Sequence, residues 1–122
     1  MKNPIKSIRP FIGAKDYKIS RSFYKELGFE EVVLTPTLSC FKWGNFAFYL
    51  QDAYVKDWVD NTMVFMEVHL VEDVYQSWFA LDLSSKYEKV RLLPLRQMDW
   101  GKECFLHDPS GILWHIGEFN DA

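Results

Sequence analysis

Cysteine is scarce: the 122-residue chain has two, Cys40 and Cys104, both in strand-like stretches and without Cys-x-x-Cys spacing. That argues against a disulfide framework and a structural zinc site, and it points to buried free thiols in a cytoplasmic protein. Basic runs are missing as well. The formal net charge is −3 and the lysines and arginines are scattered. No sequence-encoded basic face is therefore available to replace the counterions of a nucleic acid, which argues against that partner class. Nor does any apolar run approach the roughly 20 residues that span a bilayer, and no apolar signal core opens the chain, so no membrane partner is expected. Low-complexity segments are absent. The longest linker candidate is the short stretch at residues 83–89.

Aromatic residues, by contrast, are plentiful: ten Phe, six Tyr and five Trp make up 17% of the chain. Two readings compete, a bulky core with a dimer interface and an aromatic-lined ligand pocket. The length suits one domain over residues 1–122, burying roughly two-thirds of its unfolded surface without metal or disulfide staples.

The order of elements is the strongest pattern. A strand-like run at residues 8–14 tolerates Pro10 as an edge or first-strand residue. Asp16 then caps a helix whose apolar positions Ile19, Phe23 and Leu27 recur every four residues, and Gly28 ends it. Strands follow at residues 31–35, 38–43 and 46–51, turning at Thr35-Pro36-Thr37 and Gly44-Asn45. A polar and aromatic crossover occupies residues 52–62. The order then restarts: a strand at 63–71, a helix capped at Glu72-Asp73 through Val74, Trp78 and Leu81, and strands at 90–98, 103–107 and 112–119. Asp108-Pro109-Ser110-Gly111 is the turn before the last strand.

Asp16 followed by Ser22-Phe23-Tyr24 is echoed by Asp73 followed by Ser77-Trp78-Phe79. One such unit leaves a sheet face uncovered, so two must pair to bury it. The predicted fold is α+β: two tandem βαβββ modules, approximately residues 5–52 and 63–119, forming a curved mixed sheet around a central pocket.

The run from Phe11 to Asp16 and the phrase Phe23-Tyr24-Lys25-Glu26-Leu27-Gly28-Phe29 resemble the opening of the vicinal oxygen chelate superfamily. Trp100-Gly101 before a strand and the Asp108-Pro109-Ser110-Gly111 turn resemble its second signature. The superfamily includes glyoxalase I (lactoylglutathione lyase), extradiol dioxygenases, fosfomycin-resistance enzymes and bleomycin-resistance proteins. The resemblance implies the fold but leaves open whether the chain is an enzyme, because this scaffold hosts several chemistries as well as pure binding.

Enzymes of the superfamily hold a divalent metal on the first and fourth strands of each module. Those positions carry over to Arg9, Tyr49, Met66 and His115. Arginine offers no lone pair, and a thioether is too soft for zinc, nickel or iron(II). The resemblance is therefore to the metal-free bleomycin-resistance-like branch, and it implies a homodimer that binds a small molecule with no metal and no cofactor.

Strand alternation gives a second route to the site. Phe46, Phe48 and Leu50 form an apolar face, leaving Tyr49 and Gln51 toward the pocket; Trp114 and Ile116 do the same for His115. In the strand at 63–71, alternation places Glu67 and His69 on the pocket side and Met66 away from it, against the carry-over, and a one-residue slip separates the two readings. If alternation holds, Glu67, His69 and His115 could converge as a two-His, one-carboxylate metal site, the rival reading of a metal-dependent isomerase or dioxygenase. Arg9 should meet an anion, either Glu67 or Glu118 or a ligand carboxylate or phosphate. Phe11 on the first strand and Trp58 in the crossover complete the candidate ligand-binding set. A third reading is a structural or regulatory module whose pocket is filled by its own side chains.

Overall fold

Asp16 starts the first helix as expected. Its carboxylate accepts a hydrogen bond from the Ile19 N–H at 3.1 Å, satisfying a donor that the first turn leaves free. In the computed structural model, which describes residues 2–121, helix α1 runs Tyr17–Leu27. Gly28 closes it at φ +121°, with the Phe29 N–H returning to the Tyr24 carbonyl. The buried stripe is Ser20, Phe23, Tyr24 and Leu27. Ile19, expected in the core, is instead 43% exposed. Helical spacing puts it beside the stripe, and Tyr24 takes the central place.

Strand β1 is only Phe11–Gly13, shorter than residues 8–14, because Pro10 has no N–H to give. Its carbonyl still accepts from Tyr49 N at 2.9 Å. Strands β2 (Glu30–Thr35), β3 (Leu38–Trp43) and β4 (Phe46–Gln51) match their predicted positions within a residue. Together they form a four-stranded sheet in the order β1-β4-β3-β2, with β1 and β4 parallel. The crossover holds a short helix, α2 (Lys56–Asp60).

The second module repeats this order. Strand β5 (Met63–Glu67) pairs parallel with the last strand, β9 (Leu113–Phe119), and β9 pairs with β8 (Gly101–His107). Two differences from the prediction have local causes. Strand β5 stops at Glu67, and helix α3 begins at Val71, before the predicted Glu72-Asp73 cap. No side chain at Leu70 caps α3; the Glu118 carboxylate from β9 accepts the Val71 N–H at 3.0 Å instead. Helix α3 ends at Phe79, short of Leu81. The stretch predicted as a linker opens with α4 (Leu83–Lys86). The strand expected at 90–98 is split into β6 (Arg91–Leu92) and β7 (Arg96–Met98), separated by Leu93-Pro94-Leu95; both pair with β8. Among the described residues, no helix is long and apolar enough to cross a membrane.

Both sheets contribute to one core. Ile12, Phe41, Phe48 and Leu50 from the first meet Leu106, Trp114 and Ile116 from the second, with Phe23, Tyr24 and Phe29 between them. The Tyr24 ring lies edge-on to Phe48 at 4.9 Å and 5.9 Å from Trp114. Its hydroxyl donates to Asp108 at 2.7 Å and accepts from Trp114 Nε1 at 2.9 Å. The other Asp108 oxygen accepts the Ser110 and Ile112 N–H groups, each at 2.8 Å. Asp108 therefore shapes the Asp-Pro-Ser-Gly turn of one module and fastens it to the helix of the other.

This carboxylate is fully buried, and burial pushes it up to about 6 despite the hydrogen bonds from Tyr24 and the turn. Between the ordinary carboxyl range and pH 6 the folded protein thus keeps a proton that the unfolded chain has released. The contribution to stability is fully present below about pH 4 and is lost as pH rises through 6. Urea unfolding across this range should show the stability difference between wild type and Asp108→Asn falling by on the order of 3 kcal/mol. A difference that stays flat with pH would show that Asp108 titrates normally.

Candidate ligand-binding faces

Each sheet turns one face to the core and leaves the other open. On the first sheet, ladder register places Phe11 beside Tyr49, and Tyr49 beside Cys40, on the open face. The Phe11 and Tyr49 rings lie 4.9 Å apart, tilted by 34°. Gln51 follows on the same side of β4, half-buried and opposite Gly13 and Leu38. Arg9 lies over this surface. Its Nη1 donates to the Tyr49 hydroxyl at 3.3 Å and to Cys40 Sγ at 3.7 Å, and its guanidinium sits 5.8 Å from the Tyr49 ring centre. The expected ion pair with Glu67 or Glu118 is not formed. Glu118 is committed to the start of α3, and Glu67 belongs to the other sheet.

On the second sheet, alternation decides the register question. Val64, Met66 and Val68 pack against the core, and Phe65 and Glu67 stand on the open face. Met66, a ligand-binding candidate by carry-over, is therefore turned away from that face. His69 lies beyond the end of β5, exposed in the bend before α3, and Trp58 on α2 is 73% exposed. His115 is flanked by its strand neighbours: the Phe65 ring is near-parallel at 6.3 Å and the Phe105 ring edge-on at 4.8 Å. Its Nδ1 lies 3.6 Å from the buried Glu103 carboxylate.

Arg9, Phe11, Tyr49 and Gln51 thus share one sheet face, and Glu67 and His115 share the other; Met66, His69 and Trp58 join neither cluster. Sequence reasoning did not nominate Glu103 or the group of Phe65, half-buried Trp100 and Phe119, whose ring centres lie 5.0 to 6.1 Å apart. Alternation along β8 puts Glu103 and Phe105 on one face, and the pairing of β8 with β9 makes it the face of His115. Gly117 lies beneath this group. A Cβ there would come within 2.5 Å of the Phe65 ring and 3.1 Å of Trp100.

The donor set does not fit a divalent metal. Arg9 cannot ligate, Met66 points into the core, and the rival trio of Glu67, His69 and His115 is not brought together. Among the described residues, no three His, Cys, Asp or Glu side chains are grouped to hold one. Cys104 offers no nucleophile either, for it is fully buried and burial pushes its thiol up to about 11. Two surface hollows, of about 300 and 360 Å³, lie elsewhere, one lined by Glu72, Arg96 and Lys102 and the other by Trp78, Phe79 and Leu83.

No protein-family model matches the chain, and none of the curated proteins compared with it does. Solved structures do match. A bleomycin resistance determinant encoded on the transposon Tn5 superimposes with a TM-score of 0.81 at 15% identity, covering 96% of this chain and 100% of that one. A bleomycin-binding protein from Streptomyces verticillus, complexed with copper(II)-bleomycin, gives 0.77 at 20% identity over 95% and 99%. Lactoylglutathione lyase from Agrobacterium tumefaciens gives 0.72 at 19% identity over 95% and 96%. At these identities the likeness is one of fold, and it agrees with the fold that the sequence motifs imply: the chain has the fold shared by bleomycin-resistance proteins and lactoylglutathione lyase.

Proposed function

We propose that this protein binds a planar or amphipathic small molecule without a metal, sequestering a drug or an aromatic metabolite between the open sheet faces of a homodimer. The observation that carries the reading is the placement of aromatic surface. Phe11 is 56% exposed and Phe65 45%, beside Tyr49 and Trp100, on faces that the core does not use. Surface of this kind marks a binding face. The bleomycin-binding proteins that share the fold support the same reading, and the scattered donor set supports its being metal-free. Two copies would cover both faces, with the first sheet of one chain against the second sheet of the other. Residence in the cytoplasm belongs to the same reading, since Cys40 and Cys104 are free and buried.

One observation favours a different reading. Phe65, Trp100 and Phe119 already pack on one another over Gly117, as in a module whose binding face is filled by its own side chains.

Elemental mass spectrometry of the purified protein should find no stoichiometric metal, and zinc, nickel, manganese and iron(II) should leave Tm unchanged. Near-stoichiometric metal with clear stabilisation would overturn the proposal. In a panel of aromatic metabolites and glycopeptide drugs, a true ligand at about 100 times its Kd should raise Tm by roughly 10 °C. No shift across the panel would favour the self-filled module. Light scattering should give the mass of two chains for the wild type and of one for Phe65→Asp, with circular dichroism unchanged. A monomeric wild type would remove the shared site.

A further inference from the structure

The open face of the first sheet carries a cation without a counterion. A guanidinium has five N–H donors, yet only Nη1 of Arg9 is engaged, and by a hydroxyl and a thiol, both neutral and both at long range. Among the described residues, Arg9 Nε is the one buried side-chain nitrogen or oxygen with no hydrogen-bond partner, and no carboxylate lies within 4 Å of the guanidinium. Arg21 and Lys25 pair with Glu31, Lys56 with Asp60, Lys86 with Glu26 and Lys102 with Glu72. Arg91 and Arg96, like Arg9, have no carboxylate partner among the described residues; what sets Arg9 apart is its buried, unsatisfied Nε. A chain with 17 acidic residues against 14 basic ones has carboxylates to spare, and none reaches Arg9.

Beside this charge lies an aromatic surface, the Phe11 and Tyr49 rings, tilted by 34° to one another. The Tyr49 hydroxyl accepts from Nη1 and the guanidinium sits 5.8 Å from the Tyr49 ring centre, so the charge is placed beside the rings. A planar molecule laid over Phe11 and Tyr49 would bring a substituent at its end to the Nη1 and Nη2 side of Arg9. The substituent such a site rewards is an anion, because a charge-assisted hydrogen bond is roughly twice as strong as a neutral one and a guanidinium matches the geometry of a carboxylate.

We propose that Arg9 is the anion subsite of this face and that its ligand is an aromatic acid, with the ring over Phe11 and Tyr49 and the carboxylate on the guanidinium. This inference rests on the small-molecule reading above and narrows it to one chemical class. The same carboxylate chemistry has a second source, an acidic side chain of another copy of this chain, and the test separates the two.

The probes are naphthoate and its uncharged counterpart naphthamide, titrated into protein with isotope-labelled arginine. The Arg9 Nε–H resonance, assigned by its loss in Arg9→Lys, reports on the site directly. Naphthoate should move it saturably and bind on the order of tenfold tighter than naphthamide. In Arg9→Met the acid should fall to the affinity of the amide, while the amide keeps its own. If that variant fails to fold, the wild-type titration decides alone. Equal affinities for acid and amide would overturn the anion subsite and leave the aromatic binding face standing. An Nε–H resonance that moves on dilution to monomer, and not with naphthoate, would assign the counterion to a second copy and overturn the proposal. No binding of either probe and no change on dilution would overturn both the subsite and this face as a ligand site.

Discussion

Tyr24 donates a hydrogen bond from its hydroxyl to a carboxylate from which water is excluded, and the two modules meet at that bond. Asp108 sits in the turn of the second module, Tyr24 on the helix of the first, and Trp114 donates to the same hydroxyl from the second sheet. Burial, and then the charge of Asp108, push the Tyr24 phenol well above its ordinary value, so it remains a donor throughout the physiological range. Lys15 N adds a bond to Ser110 Oγ at 2.9 Å, between the same two regions. Each sheet therefore commits its apolar face to a common core and has only the opposite face left for a ligand.

Much of this was legible in the sequence. Asp16, Gly28 and the Asp108-Pro109-Ser110-Gly111 turn act through one or two backbone groups each, so local reading found them. The repeated element order located both sheets, since period-2 apolar patterns decide which face is buried. What local reading could not find were the contacts made over long separations. Glu118 caps α3 from 47 residues away, which moves the helix start ahead of the acidic pair that marked it. Ile19 fits the helical period but faces solvent, because Tyr24 brings both a ring and a hydrogen bond and takes the central position.

The candidate site shows the same division. Alternation placed Tyr49, Gln51, Glu67 and His115 on open faces, whereas alignment to the metal positions of the superfamily nominated Met66, which the core absorbs. His69 failed for a different reason: β5 ends at Glu67, and a period of two has no meaning past the end of a strand. The ion pair expected for Arg9 is absent because Glu67 and Glu118 both belong to the second sheet, whereas Arg9 lies over the first. Glu103 escaped notice because a buried acid in a strand has no motif of its own; only its pairing opposite Gly117 brings it beside His115.

Gly117 occupies the middle of the last strand with ordinary extended backbone, so its lack of a side chain serves space rather than conformation. The Phe65 ring fills the room that a residue at 117 would claim. The two positions therefore share one volume, divided between neighbouring strands. A larger residue at 117 matched by a smaller one at 65 would keep that volume filled while changing which strand supplies the surface. Since neither position belongs to the core cluster, a lineage carrying this fold can exchange the chemical character of its second face by paired substitution, leaving the joint at Tyr24 and Asp108 as it is.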